Sequence, residues 1–192
     1  MRCLLIPGTE LKQKSETELI LVARTNRAAF GELYERTVDK VYTYLYYRTK
    51  NKALSEDLVS ATFLKALENI DRFRPKSGGF TAWLLRIARN LLYDEYRKNN
   101  RITQLASGGA ETGPGATPEE AVIRCEDKAV LQKMIAALPD LQREAIVLKY
   151  TLNLKNKEIA SVLGKSETAV SSLLHRAMQA LRNEVKTHGL QG

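Results

Sequence analysis

Cysteine and histidine are scarce in this chain of 192 residues, with two of each. Cys3 and Cys125 stand far apart, each without a second thiol close in sequence, so neither a disulfide framework nor a zinc-ligand spacing can be built on them. A reducing compartment, the cytoplasm, is the expected location. His175 and His188 are joined by no paired carboxylates or metal-ligand cluster, and the sequence has no glycine-rich phosphate loop and no nucleophile elbow. We therefore expect no enzyme, and assign no catalytic residue, metal or cofactor. Long apolar runs are missing too. The stretch Met1 to Pro7 is too short for a secretory segment, and nothing later approaches the ~18 apolar residues of a membrane span, so no membrane insertion is expected. No run of β-branched residues bounded by turn signals reads as a strand, and no internal repeat is found.

What is present is helical. Hydrophobic residues make up 44% of the chain, enough to build cores, and they recur at helical rather than alternating spacing, which gives an all-α fold. Thirty Lys and Arg against 22 Asp and Glu leave a net charge of +8, a balance that attracts polyanions; an ordinary charged surface is the other reading. The charge is uneven. Residues 1–118 carry 19 basic and 13 acidic side chains, and residues 119–192 carry 11 and 9, so phosphates should act more strongly on the first part.

One segment breaks the helical pattern. From Arg101 to Pro118 the chain is rich in Gly, Ala, Thr and Pro with little to bury, which is linker composition, and a structureless loop longer than ~12–15 residues is uncommon inside a compact domain. We read two small helical domains, 15–100 and 119–188, joined by a flexible linker over 101–118. Thr117, Pro118, Glu119 and Glu120 suit a helix start: an N-cap, a first-turn proline and two acids at the positive end of the helix dipole.

In the first domain a helix from about Asn26 to Arg48 lines up Phe30, Leu33, Tyr34, Val41 and Leu45 as a core stripe. Tyr42, Tyr44, Tyr46 and Tyr47 wrap round it, either covering the core or offering rings for base stacking. The next helix, about Lys52 to Asn69, has Val59, Phe63, Ala66 and Ile70 on one face and Leu54, Leu58 and Ala61 on the opposite one. A helix apolar on both sides is either sandwiched in its own domain or docked on a partner. A third helix follows Ser77-Gly78-Gly79 and runs to about Asn99. Phe80, Leu84, Ile87 and Leu91 form its core stripe with Trp83 beside them, while Arg86, Arg89, Asn90, Tyr93 and Arg97 gather opposite, extended by Lys98 and Arg101. Cations for phosphate, an amide for a base edge and a ring for stacking suit nucleic acid; a solvated charged face is the plainer alternative. The loop before this helix, with Phe73, Arg74, Lys76 and two glycines, is of a kind that can hold an extruded base.

In the second domain Leu138-Pro139-Asp140 ends one helix and caps the next, which sends Ile146, Val147, Leu148 and Tyr150 towards a core. The run from Asn156 to Ser166 then reads as a short helix stopped by Gly164 and a new helix capped by Ser166, the spacing of a helix-turn-helix. In the second of these helices Val170, Leu174, Ala177 and Leu181 point inward. Thr168, Ser172, His175 and Gln179 point out, with Arg176 at the edge. Short polar side chains near the helix start can reach base edges in a major groove.

These residues resemble the extracytoplasmic-function (ECF) type of the sigma-70 family of RNA polymerase sigma factors. Region 2 of that family is matched from Phe30 to about Arg101, through Glu56-Asp57-Leu58-Val59, Thr62 to Ala66, Phe73-Arg74, Phe80 to Leu84, Ile87 to Asn90 and Asp94. Region 4 is matched from Leu138 to Arg182, through Leu138-Pro139, Arg143, Glu158-Ile159-Ala160, Leu163-Gly164, Ser166, Val170 and Arg176-Ala177. The resemblance implies a factor that binds core RNA polymerase, at the β′ clamp helices and the β subunit, and promoter DNA, with an anti-sigma factor as a further partner. It implies that Asp57, Leu58 and Phe63 contact β′. Phe73, Arg74, Lys76, Arg86, Arg89, Asn90, Tyr93, Asp94, Arg97 and Lys98 would read and melt the minus-ten element, and Lys165, Ser166, Thr168, Ser171, Ser172, His175 and Arg176 would read the minus-thirty-five element. The chain departs from the family at Ser60 and Ala61, where Gln and Glu are usual, and at Ser171 and Leu173, where Lys and Arg are usual. Promoter elements two helical turns apart lie ~70 Å from one another. A linker of about 18 residues reaches at most ~60 Å, leaving the domain widths to supply the rest. The alternative is a helix-turn-helix repressor or activator that binds an operator without polymerase.

Overall fold

The computed structural model describes residues 8–74, 78–106 and 133–187, and among them there are helices and turns but no strand. The chain divides into two compact units between Pro114 and Gly115.

The first unit is built on α3 (Arg27–Thr49), against which α2 (Glu16–Ala23), α4 (Lys52–Asn69) and α5 (Gly79–Ala106) pack. Asparagines start two of these helices: the Asn26 side chain accepts from the Ala28 N–H and that of Asn51 from the Leu54 N–H. A capping box starts α2. The Glu18 N–H donates to the Ser15 hydroxyl oxygen, and the Glu18 carboxylate accepts from the Ser15 hydroxyl and N–H, which together hold that carboxyl below the usual range. Residues before Ser15 carry no assignment from the sequence; α1 (Gly8–Gln13) occupies part of this stretch. Its docking is polar as well as apolar. Arg36 of α3, oriented by Glu32, donates to the carbonyls of Leu11, Lys12 and Lys14, which a short helix would otherwise leave to water.

The core of this unit includes Leu19, Leu33, Tyr44, Leu45, Phe80, Leu84, Leu85 and Leu92. Two sequence expectations shift here. On α5 the buried side is centred on Leu84, Leu85, Ala88 and Leu92, and Ile87 and Leu91 are only half-buried, because α3 and α4 both cover this helix. The helix also runs on to Ala106, into the stretch read as linker. The rest of that stretch and the expected helix start at Thr117-Pro118 lie outside the described residues.

In the second unit a helical segment ends at residue 137, and α6 (Asp140–Ile146) begins directly after Pro139, so Asp140 is the first helical residue rather than its cap. Arg143 of α6 donates back to the carbonyls of Ala136 and Leu138 and so closes the preceding helical end. A π turn, Val147–Thr151, prolongs α6. Ile146, Val147 and Leu148 are buried as expected, but Tyr150 is 61% exposed. A π turn carries an extra residue per turn, which swings Tyr150 off the face that α-helical spacing assigned to it. Next come α7 (Asn156–Leu163) and α8 (Glu167–Thr187), and α8 packs on both α6 and α7 through Val170, Leu174, Ala177 and Leu181.

Candidate functional site

On α5 the polar residues expected from the sequence converge. Arg89, Asn90, Tyr93, Asp94 and Arg97 line an open concavity of about 530 Å³, and Lys65 of α4 completes it. Tyr93 is its centre. The Arg89 guanidinium lies 4.7 Å from the ring centroid and that of Arg48, from α3, 5.9 Å, and Arg48 also donates to the Tyr93 hydroxyl at 3.5 Å. Two cations against one ring fix it and leave a positive, aromatic surface that suits a phosphate and a stacked base. Arg97 pairs with Asp94, and Lys98 lies 3.8 Å from Glu95, so part of the positive charge along this face is balanced. Arg86 is exposed on the same helix.

The loop before α5 behaves differently from expectation. Phe73 is 4% exposed and packs against Phe80 and Trp83 at 5.8 and 5.0 Å between centroids, so it is a core residue rather than an exposed platform for a base. Its carbonyl accepts from Arg24, the residue that follows α2. Arg74 is exposed, with its guanidinium donating to the carbonyls of Asp71 and Phe73. Lys76 lies outside the described residues. At the other end of the loop the Phe80 N–H donates to Glu16 of α2 at 2.9 Å, so a carboxylate from a different helix caps α5.

The second apolar stripe of α4 faces α5 of the same unit, with Leu58 buried at 6% exposure and Leu54 and Ala61 half-buried at the mouth of a groove. Leu54, Asp57, Leu58 and Ala61 form one wall of this groove of about 570 Å³, whose other wall is Leu91, Asp94, Glu95, Arg97 and Lys98 of α5. Of the three residues expected to meet the polymerase, Asp57 and Leu58 line this groove. Phe63 does not. It is 5% exposed and meets Tyr34 edge-on at 4.6 Å, on the core face where its helical spacing with Val59 and Ala66 already put it. Leu64, inside the Thr62 to Ala66 match but given no role there, is 60% exposed on the same helix. Lys65, assigned no role in the sequence, and Leu91, placed there in a core stripe, line these two surfaces because α4 approaches α5, which neither helix's own periodicity reports.

In the second unit Gly164 ends α7 with a left-handed φ of 64°, and the N–H groups of Gly164 and Lys165 both donate to the Ala160 carbonyl. The Ser166 hydroxyl accepts from the Ala169 N–H and starts α8. Lys165, Ser166, Thr168, Ser171, Ser172, His175 and Arg176 are all exposed, as expected. The Ser172 hydroxyl donates to the Thr168 carbonyl and the Arg176 Nε to that of Ser172. Among the described residues no group of His, Cys, Asp and Glu could hold a metal, and no helix is long and apolar enough to cross a membrane.

Two family models match the chain, sigma-70 region 2 over residues 33–102 and sigma-70 region 4 over residues 128–181. The chain is 33% identical to the ECF RNA polymerase sigma factor SigW of Bacillus subtilis, over 86% of its own length and 93% of that protein's. It belongs to the ECF RNA polymerase sigma factors of the sigma-70 family. This sigma factor is also 35% identical to the ECF sigma factor BldN of Streptomyces coelicolor, over 91% of its own length and 67% of that relative's. Among solved structures it is similar to the sigma factor RpoE of Bartonella quintana, which was solved in complex with the anti-sigma factor NepR. That likeness has a TM-score of 0.68 and 25% identity, covering 82% of this chain and 96% of the other. The sigma factors are not an enzyme class.

Proposed function

We propose that this sigma factor docks on the β′ clamp helices of core RNA polymerase through the groove between α4 and α5, with the β subunit as a second contact. We infer that it then directs initiation at promoters bearing minus-ten and minus-thirty-five elements. The observation that carries this reading is the α5 concavity, where one tyrosine ring stands against two guanidinium groups beside an exposed amide. Such a surface gains on single-stranded DNA what it cannot gain on a closed duplex. Extruding a base costs a few kcal/mol, and stacking on an aromatic side chain returns ~1–3 kcal/mol per base. Recognition and melting of the minus-ten element therefore share Arg89, Asn90, Tyr93 and Arg97, with Lys65 added and Phe73 withdrawn.

The exposed face of α8 suits duplex DNA, because short hydroxyl side chains approach base edges closely while Arg176 and Lys165 supply cations for the flanking phosphates. No bond is made or broken by the chain itself, and the cytoplasm, where polymerase and promoter meet, is its place of work. An anti-sigma factor is a further partner on this reading, as one is for the related RpoE. Pull-down with core polymerase followed by promoter-dependent transcription in vitro tests the proposal. Retention on core and new promoter-specific transcripts are expected. Tight binding of the lone chain to duplex DNA, with no effect on core polymerase, would point to a stand-alone regulator instead.

A further inference from the structure

Three side chains from three parts of the second unit form a directed chain of hydrogen bonds that ends on the exposed face of α8. Lys149, on the π turn after α6, donates from Nζ to Oδ1 of Asn156 at 3.1 Å. Asn156, the first residue of α7, donates from Nδ2 to Oγ of Ser171 at 3.1 Å. Lys149 and Asn156 are half-buried and Ser171 is exposed.

The direction follows from the first member. An ammonium has three donors and no acceptor, so the amide of Asn156 must turn its oxygen to Lys149; the flipped amide would set NH2 against NH3+. Its NH2 group is thereby committed to Ser171. The Ser171 oxygen accepts, and its own O–H, polarised by that bond, is left as the group to present outward. A serine hydroxyl ordinarily rotates to serve as donor or acceptor. Here it is biased to donate.

We propose that Lys149 and Asn156 are positioning residues that set the hydrogen-bond polarity of Ser171, and so make α8 select, at the base it faces, an acceptor edge over the donor edge of cytosine. The inference rests on the reading of α8 as the duplex-reading helix. In the major groove guanine offers N7 and O6, thymine O4 and adenine N7 as acceptors, whereas cytosine offers only its N4 amino donor. Because Ser171 carries no charge, discrimination there comes from hydrogen-bond direction and not from attraction to phosphate.

The test uses holoenzyme reconstituted with the full chain and competition binding to duplexes randomised across the upstream element. The parent should disfavour cytosine at one position by about fivefold, the ratio equivalent to one hydrogen bond of ordinary net strength. Lys149→Met releases the amide and should flatten that preference while leaving the others in place. Asn156→Asp puts an acceptor against Ser171, which then donates inward and shows its lone pairs to DNA, so the preference should reverse towards cytosine. In a Ser171→Ala background Asn156→Asp should change nothing at that position, which separates the relay from any general disturbance of the turn. Parental preferences in both single variants would overturn the inference while leaving the assignment of α8 intact. A parent that discriminates at no position of the upstream element would instead sink that assignment, and the inference with it.

Discussion

A lysine in place of Ser171 would add one cation to the exposed face of α8 at the cost of the hydrogen bond from Asn156. Each additional phosphate neutralised steepens the dependence of log K on log salt by about 0.9. Ser171→Lys should therefore tighten upstream-element binding at low salt and steepen its salt slope by roughly that amount. Equal affinity and slope for variant and parent in a salt titration would contradict it. Phe73 makes the opposite point. It sits beside a cationic loop in the sequence and looks available to a base, yet it fills a cluster with Phe80 and Trp83. Phe73→Ala should cost about 3–5 kcal/mol of stability, read as a fall in the unfolding midpoint before any effect on promoter opening is measured. One sequence gives the position of an aromatic along the chain but not the depth of the surface it meets.

At the scale of elements, the helices with capping side chains and a single buried face were legible from the sequence. The ranges of α3 and α4 agree with expectation because Asn26 and Asn51 mark their starts, and the inward stripe of α8 is reproduced residue for residue. Legibility failed where a second element intervenes. On α5 two neighbours spread burial beyond one stripe, and in α6 the π turn carries Tyr150 off its expected face. The start of α5 is a cooperative feature of the same kind, since its capping carboxylate comes from Glu16, 64 residues away in sequence. Removing it by Glu16→Ala should cost about 1 kcal/mol and speed hydrogen exchange at the Phe80 amide; unchanged exchange there would show that the cap carries no weight. The outer face of α4 gives a contrasting case. Leu64 is exposed and supports no core, so Leu64→Asp should leave thermal stability within about 0.5 kcal/mol of the parent. Asp57, exposed on the wall of the proposed docking groove, gives the functional counterpart: Asp57→Lys should weaken capture by core polymerase, and undiminished capture would move the contact elsewhere on the surface.

At the scale of the whole molecule, two helical bodies were legible in the sequence because a stretch rich in Gly, Ala, Thr and Pro separates two runs of helical periodicity. Each body has its own core, one around Tyr44 and Phe80 and the other around Leu148 and Ile159. The fate of the two need not be shared. Burying a carboxylate at position 170, where Val170 is wholly enclosed, leaves an unpaired charge that a body of this size cannot tolerate. Calorimetry of Val170→Asp should accordingly keep one unfolding transition and lose the other. A cell making both versions would then hold a copy that still occupies polymerase but no longer finds the upstream site, so the mutant allele should act dominantly, poisoning its wild-type sibling.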